Sequence, residues 1–116
     1  MKHKTYLSGP MSNMPNLNFP AFHAAAARLR AAGLDVVNPA ELDASDPAPL
    51  EWHQYLRRDI AQLIECDSLC LLPGWEKSKG ARLELHIAQE LGMRVTHLDG
   101  ASEAAAHSSA AQLEQA

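Results

Sequence analysis

A chain of 116 residues has room for one hydrophobic core and no second one. Its 47% hydrophobic residues fall in the globular range, and a formal charge of −4 argues against a surface built to hold a nucleic acid polymer. No window reaches the run of about 20 apolar residues that a membrane span needs. Behind the basic Met1-Lys2-His3-Lys4, the stretch Thr5–Leu7 is too short for a signal-peptide core. A cytoplasmic chain without a membrane partner is the expectation.

Lys4–Ser8 reads as a short strand ended by the breaker pair Gly9-Pro10. Residues 11–18 have the composition of a loop. A helix follows, with Asn18 as N-cap, Pro20 in the first turn, Phe22, Ala25, Ala26 and Leu29 as apolar face, and Gly33 as stop. Leu34–Val37 is a second strand, closed by Asn38-Pro39. Residues 40–50, rich in Asp, Ser and Pro, read as a surface loop. A second helix runs from about Leu50 to Ile64. Ser68–Leu72 is a third strand, a continuous apolar run suited to the middle of a parallel sheet, and Pro73-Gly74-Trp75 ends it. A third helix follows Ser78 and stops at Gly92, and Met93–Leu98 is a fourth strand. The alternation predicts an α/β domain over residues 1–98: a three-layer, doubly wound, flavodoxin-like open sheet of four to five parallel strands. After Asp99 the composition turns to Ala, Ser, Glu and Gln, so residues 99–116 read as a flexible tail.

Two acids interrupt the helical patterns. Trp52, Leu56, Ile60 and Leu63 repeat at helical spacing, and Asp59 falls inside that stripe. Leu83, Ile87, Ala88 and Leu91 form a second stripe, and Glu84 lies along its edge near the helix start. A carboxylate turned toward apolar neighbours is costly unless paired or hydrogen-bonded, so the two acids predict a polar pocket between helices. In doubly wound sheets the ligand crevice lies outside the carboxyl ends of the strands, here Ser8-Gly9-Pro10, Asn38-Pro39, Pro73-Gly74-Trp75 and His97-Leu98. The positive end of its helix is expected to favour the charged form of Glu84, which suits a nucleophile in glycosyl transfer. Asp59 can orient a base or sugar hydroxyl, or protonate a leaving base. The competing reading pairs each acid with an arginine, Arg58 or Arg82.

Ser8-Gly9-Pro10 offers N–H groups and a hydroxyl to a sugar or phosphate, or is a simple strand-terminating turn. Trp75 is placed to stack on a nucleobase or on its own helix. Tyr6 is placed to reach the crevice or to fill the core. Arg57, Arg58 and Arg82 are each free to hold a phosphate or face solvent. The dinucleotide-binding glycine pattern, the Walker pattern, the HExxH motif and the GxSxG elbow are all missing, so no organic cofactor or metal is expected. Cys66 and Cys70 fit neither a CxxC pair nor a zinc half-site and read as buried, inert thiols.

The run Tyr6-Leu7-Ser8-Gly9-Pro10-Met11, followed by Asn18-Phe19-Pro20-Ala21-Phe22, Asn38-Pro39-Ala40, Asp67, Leu72-Pro73-Gly74-Trp75-Glu76, Ser78 and Gly80-Ala81 with Glu84, resembles a small family of bacterial and phage proteins placed with the nucleoside 2-deoxyribosyltransferases. The resemblance covers residues 4–98. It implies that Glu84 is the nucleophile attacking C1′ of a deoxyribosyl group, that Asp59 and Asp67 reproduce an aspartate pair of the enzymes, and that Tyr6 positions the nucleophile. Strand-end position and resemblance together give a candidate substrate-binding set of Ser8, Gly9, Pro10, Asn38, Asp67, Gly74, Trp75, Ser78 and Gly80. The implied partner is a small-molecule nucleoside or its 5′-monophosphate, with no cofactor, in a homodimer or larger homo-oligomer. A non-catalytic nucleotide-binding or sensing module is the alternative.

Overall fold

A computed structural model describes residues 4–12, 14–45 and 51–98. Four strands, β1 (Lys4–Ser8), β2 (Asp35–Val37), β3 (Ser68–Leu71) and β4 (Arg94–His97), form one parallel sheet in the order β2-β1-β3-β4. Helices α1 (Phe19–Ala31), α2 (Pro39–Ser45), α3 (Trp52–Leu63) and α4 (Lys79–Glu90) connect them, with short 3-10 turns at Pro15–Asn18 and Trp75–Lys77. This is the doubly wound, flavodoxin-like α/β architecture that the alternation predicts. Among the described residues no helix is long and apolar enough to cross a membrane. The tail expected at 99–116 lies outside the described residues.

Strand alternation divides the core in two. Leu7, Val36 and Cys70 face α1 and pack with Phe22, Ala25 and Ala26. Tyr6, Leu69 and Leu71 face the other way, packing with Leu63 and Ala88 of α3 and α4. Each leucine, valine or phenylalanine among them contributes about 1.5–3 kcal/mol when fully buried. The central strands are buried at nearly every residue because helices cover both faces.

Local chemistry explains the boundaries. Gly33 takes φ of +95° just past α1, the left-handed conformation that terminates a helix. Ser78 caps α4, its side chain accepting a hydrogen bond from the Ala81 N–H. Asn18 precedes α1 as expected but does not cap it through its side chain; its amide donates instead to the Pro10 carbonyl at 2.9 Å. Part of the segment read as a surface loop is helix α2. Asn38 starts it, its Oδ1 accepting from the Ala40 N–H at 3.0 Å, and Arg30 of α1 holds Glu41 at 2.7 Å. Asp46, Pro47 and Pro49, which follow the helix in sequence, give that stretch its loop-like composition.

The stripe on α4 also differs from expectation. The residues that face the sheet are Ala81, Glu84 and Ala88, while Leu83 and Leu91 remain 37% and 55% exposed. Alanines let the helix approach the sheet closely, and Glu84 therefore stands in the middle of the inward face rather than along its edge. On α3, Leu63 is buried and Leu56, Asp59 and Ile60 are half-buried. Trp52, one turn before Leu56, projects past the core and is 45% exposed.

Candidate functional site

At the carboxyl end of β1 a cavity of about 360 Å³ opens between the sheet rim and the helix starts, a size typical of small-molecule sites. Its floor is Tyr6, Ser8 and Glu84. One wall is Trp52, Tyr55, Leu56 and Asp59 on α3, and the rim carries Lys77, Ser78, Lys79 and Gly80 ahead of Glu84. The loop Gly9-Pro10-Met11-Ser12 closes the opposite side.

The floor follows from strand periodicity. Tyr6 and Ser8 are two residues apart on β1, so both side chains point toward α3 and α4. The Tyr6 hydroxyl donates to Glu84 Oε2 at 2.8 Å, and the Ser8 hydroxyl donates to Oε1 at 2.6 Å. Each carboxylate oxygen thus has its own donor from one rigid strand. Gly9 permits the close strand approach behind them, since a Cβ there would lie 2.9 Å from Leu72 Cβ.

Glu84 is 6% exposed. Burial pushes its pKa up from 4.5 to about 7; the Ser8 and Tyr6 hydrogen bonds pull downward, and the nearby charge of Asp59 adds to the rise. The lowering expected from the helix N-terminus is therefore overturned. A carboxylate stripped of water loses more than a helix end returns across more than one turn. The Tyr6 phenol is pushed well above its ordinary value by burial and by the charges of Glu84 and Asp59, so it remains a donor.

Asp59 accepts from Arg58 Nε at 2.9 Å and Nη2 at 2.7 Å, and the Arg58 guanidinium lies 5.3 Å from the Tyr55 ring centroid. The arginine-paired alternative thus describes Asp59. It does not describe Glu84, because Arg82 Nε reaches the Ser78 carbonyl at 3.4 Å instead. Across the mouth, the Lys79 ammonium sits 4.8 Å from the Trp52 ring centroid, a cation–π contact joining the starts of α3 and α4.

Of the residues singled out from sequence, the cavity brings together Tyr6, Ser8, Gly9, Pro10, Asp59, Ser78, Gly80 and Glu84. Asn38 stands just behind it, buried against α1, its amide 3.2 Å from His23 Nδ1. Gly74 and Trp75 do not line the cavity. Gly74 takes φ of +89° against Pro10, and Trp75 packs on the α3/α4 side of the core with its ring 6.0 Å from that of His97. Asp67 lies at the opposite rim, where Oδ2 accepts from the Lys4 N–H at 2.9 Å. It is thus held at the Lys4 end of β1, whereas Glu84 is held by Tyr6 and Ser8 toward the other end. Sequence reasoning missed Tyr55, Lys77 and Lys79 and took Trp52 and Leu56 for core. The available signal was the Trp52-x-x-Tyr55 spacing, two aromatics on one face of a helix with little apolar length to bury them.

Both thiols are buried, and burial raises them, Cys66 to about 11, in keeping with inert cysteines. Among the described residues no group of three or more His, Cys, Asp or Glu is placed to hold a metal ion.

Fold and site together define an open-sheet α/β domain with a carboxylate cavity at its strand ends. The chain belongs to the family described as domain of unknown function (DUF4406), whose model matches residues 3–97. No curated protein matches it.

Proposed function

We propose that the protein cleaves the N-glycosidic bond of 2′-deoxynucleosides or their 5′-monophosphates, transferring or hydrolysing the deoxyribosyl group through Glu84. One observation carries this reading. A nearly buried glutamate forms the cavity floor with each of its oxygens held by a separate hydroxyl, and across from it stand half-exposed aromatic side chains of a size to stack on a base. The resemblance to nucleoside 2-deoxyribosyltransferases points to the same glutamate.

In this mechanism a Glu84 oxygen attacks C1′ on the face opposite the base. The C1′–N bond breaks, its electron pair leaves with the base, and the base takes a proton from water at the open mouth. Asp59, held by Arg58, acts as an acceptor that orients the base or a sugar hydroxyl. Water or a second base then attacks C1′ of the glycosyl ester, the C1′–O bond breaks to release the Glu84 carboxylate, and the proton displaced from the attacking group neutralises the hydroxide left by the first step. Raised basicity suits such a nucleophile, since a carboxylate near neutrality is both available and reactive. The resemblance also implies that the protein works as a homodimer or larger homo-oligomer.

The test is incubation with deoxynucleosides and their monophosphates, with and without a free acceptor base, followed by chromatography of released base. Turnover that disappears in Glu84→Ala, with a deoxyribosyl adduct on the wild-type chain by intact mass, supports the reading. Saturable binding of nucleotides without any base release would replace it with the non-catalytic binding module.

A further inference from the structure

Ser8 has an exclusive partner. It is 1% exposed, and its only hydroxyl proton is directed to Glu84 Oε1 at 2.6 Å. A serine offers one donor, so a hydroxyl committed to the carboxylate has no proton left for a phosphate or sugar oxygen. We infer that Ser8 is a positioning residue that holds the Glu84 carboxylate in its attacking orientation, and that it does not bind substrate. This rests on the glutamate-nucleophile reading above.

The geometry behind it is stiff. β1 is paired to β2 as far as Tyr6 and to β3 as far as Ser8, and the Ser8 carbonyl accepts from the Leu72 N–H at 2.8 Å. Leu72 also stands against Gly9, so the end of the strand has no room to drift. Two donors spaced by one strand repeat grip the two oxygens, and rotating the carboxylate breaks both bonds at once. Tyr6 faces Glu84 from β1, Asp59 and its partner Arg58 from α3, and Lys77 and Lys79 from the rim before and at the start of α4. Among the described residues, the hydrogen bonds to the carboxylate come from Tyr6 and Ser8 alone. Removing Ser8's donor therefore frees Oε1 without disturbing an ion pair.

The experiment compares wild type, Ser8→Ala and Ser8→Cys as full-length chains. The carboxyl carbon of Glu84 is titrated by carbon-13 NMR, and base release is measured at pH 9, where the carboxylate is ionised. Ser8→Ala is expected to raise the Glu84 midpoint by about one pH unit and to lower kcat about 10- to 100-fold, the range for a hydrogen bond to a charged group. KM stays within about twofold. Ser8→Cys, a weak donor of similar shape, falls between, and it carries the comparison if the alanine variant does not fold. A tenfold rise in KM with an unchanged midpoint would overturn the inference and make Ser8 a substrate ligand. If the wild type releases no base at all, the glycosidic reading fails separately. The titration still decides Ser8, since an unmoved midpoint shows that its hydroxyl does not govern Glu84.

Discussion

Glu84→Gln keeps the length and planarity of the side chain while removing its charge, so it isolates what that charge costs the fold. The wild-type carboxyl titrates near 7 against an ordinary 4.5. A group whose pKa is higher in the folded state holds its proton more tightly there. Its contribution is thus intact below about 4.5 and is lost as pH rises through about 7. At about 1.36 kcal/mol per pH unit, the loss amounts to about 3 kcal/mol. Glutamine does not titrate, and the Tyr6 and Ser8 hydroxyls can turn to accept from its amide as well as donate to its oxygen. The two proteins should therefore be within about 1 kcal/mol of each other at pH 5. At pH 8.5 the variant should be the more stable by about 3 kcal/mol. Urea denaturation at the two pH values measures this directly, with the midpoint of the variant rising by about 1–3 M relative to wild type between them. Most other titrating groups cancel in the comparison. A stability difference that stays constant from pH 5 to pH 8.5 would refute the reasoning, because it would mean that Glu84 is not a desolvated acid.

The same titration sets the activity profile. With Glu84 as nucleophile, kcat/KM for base release should climb about tenfold per pH unit below about 7 and level off above it; a profile that falls above 7 would make Glu84 a proton donor instead. Tyr6→Phe removes the donor to Oε2 at nearly constant volume, and base release should drop about 10- to 100-fold, an unchanged rate arguing that Ser8 suffices. Gly9→Ala places a methyl 2.9 Å from Leu72 Cβ and should destabilise by about 1–3 kcal/mol; a melting temperature within about 2 °C of wild type would show that the strands can part. Trp52→Ala removes a half-exposed ring and should leave stability nearly unchanged. Its effect should be to raise KM by about tenfold through lost stacking, as steady-state kinetics would show.

Much of the fold is legible along the chain because its punctuation is local. Gly9-Pro10, Gly33, Asn38-Pro39, Pro73-Gly74 and Gly92 each stop an element for reasons contained in a few residues, and strand–helix alternation leaves few topologies. Helix α2 escapes this reading because Asn38 starts it from outside a stretch whose own composition favours turns. The inward face of α4 escapes it too: bulk hydrophobicity points to Leu83 and Leu91, whereas the spacing between helix and sheet selects Ala81 and Ala88. The candidate site divides in the same way. Asp59 and Glu84 stand out in sequence as charges in apolar patterns, and Tyr6 and Ser8 share a face by strand periodicity alone. Sequence spacing does not say which rim of the sheet a loop residue occupies, so Asp67 and Trp75 are legible as strand-flanking residues but not as residues outside the cavity.

The linear order of residues determined the parallel α/β architecture, the strand ends that hold the cavity and the two acids that mark it, since all three depend on local propensity and periodicity. Only the folded structure decided what Glu84 is chemically. Its carboxyl rises to about 7 because residues far apart in the chain exclude water around it, and its two oxygens are claimed by hydroxyls 76 and 78 positions away. Desolvation is a property of the assembled surroundings, and no segment of the chain carries it by itself.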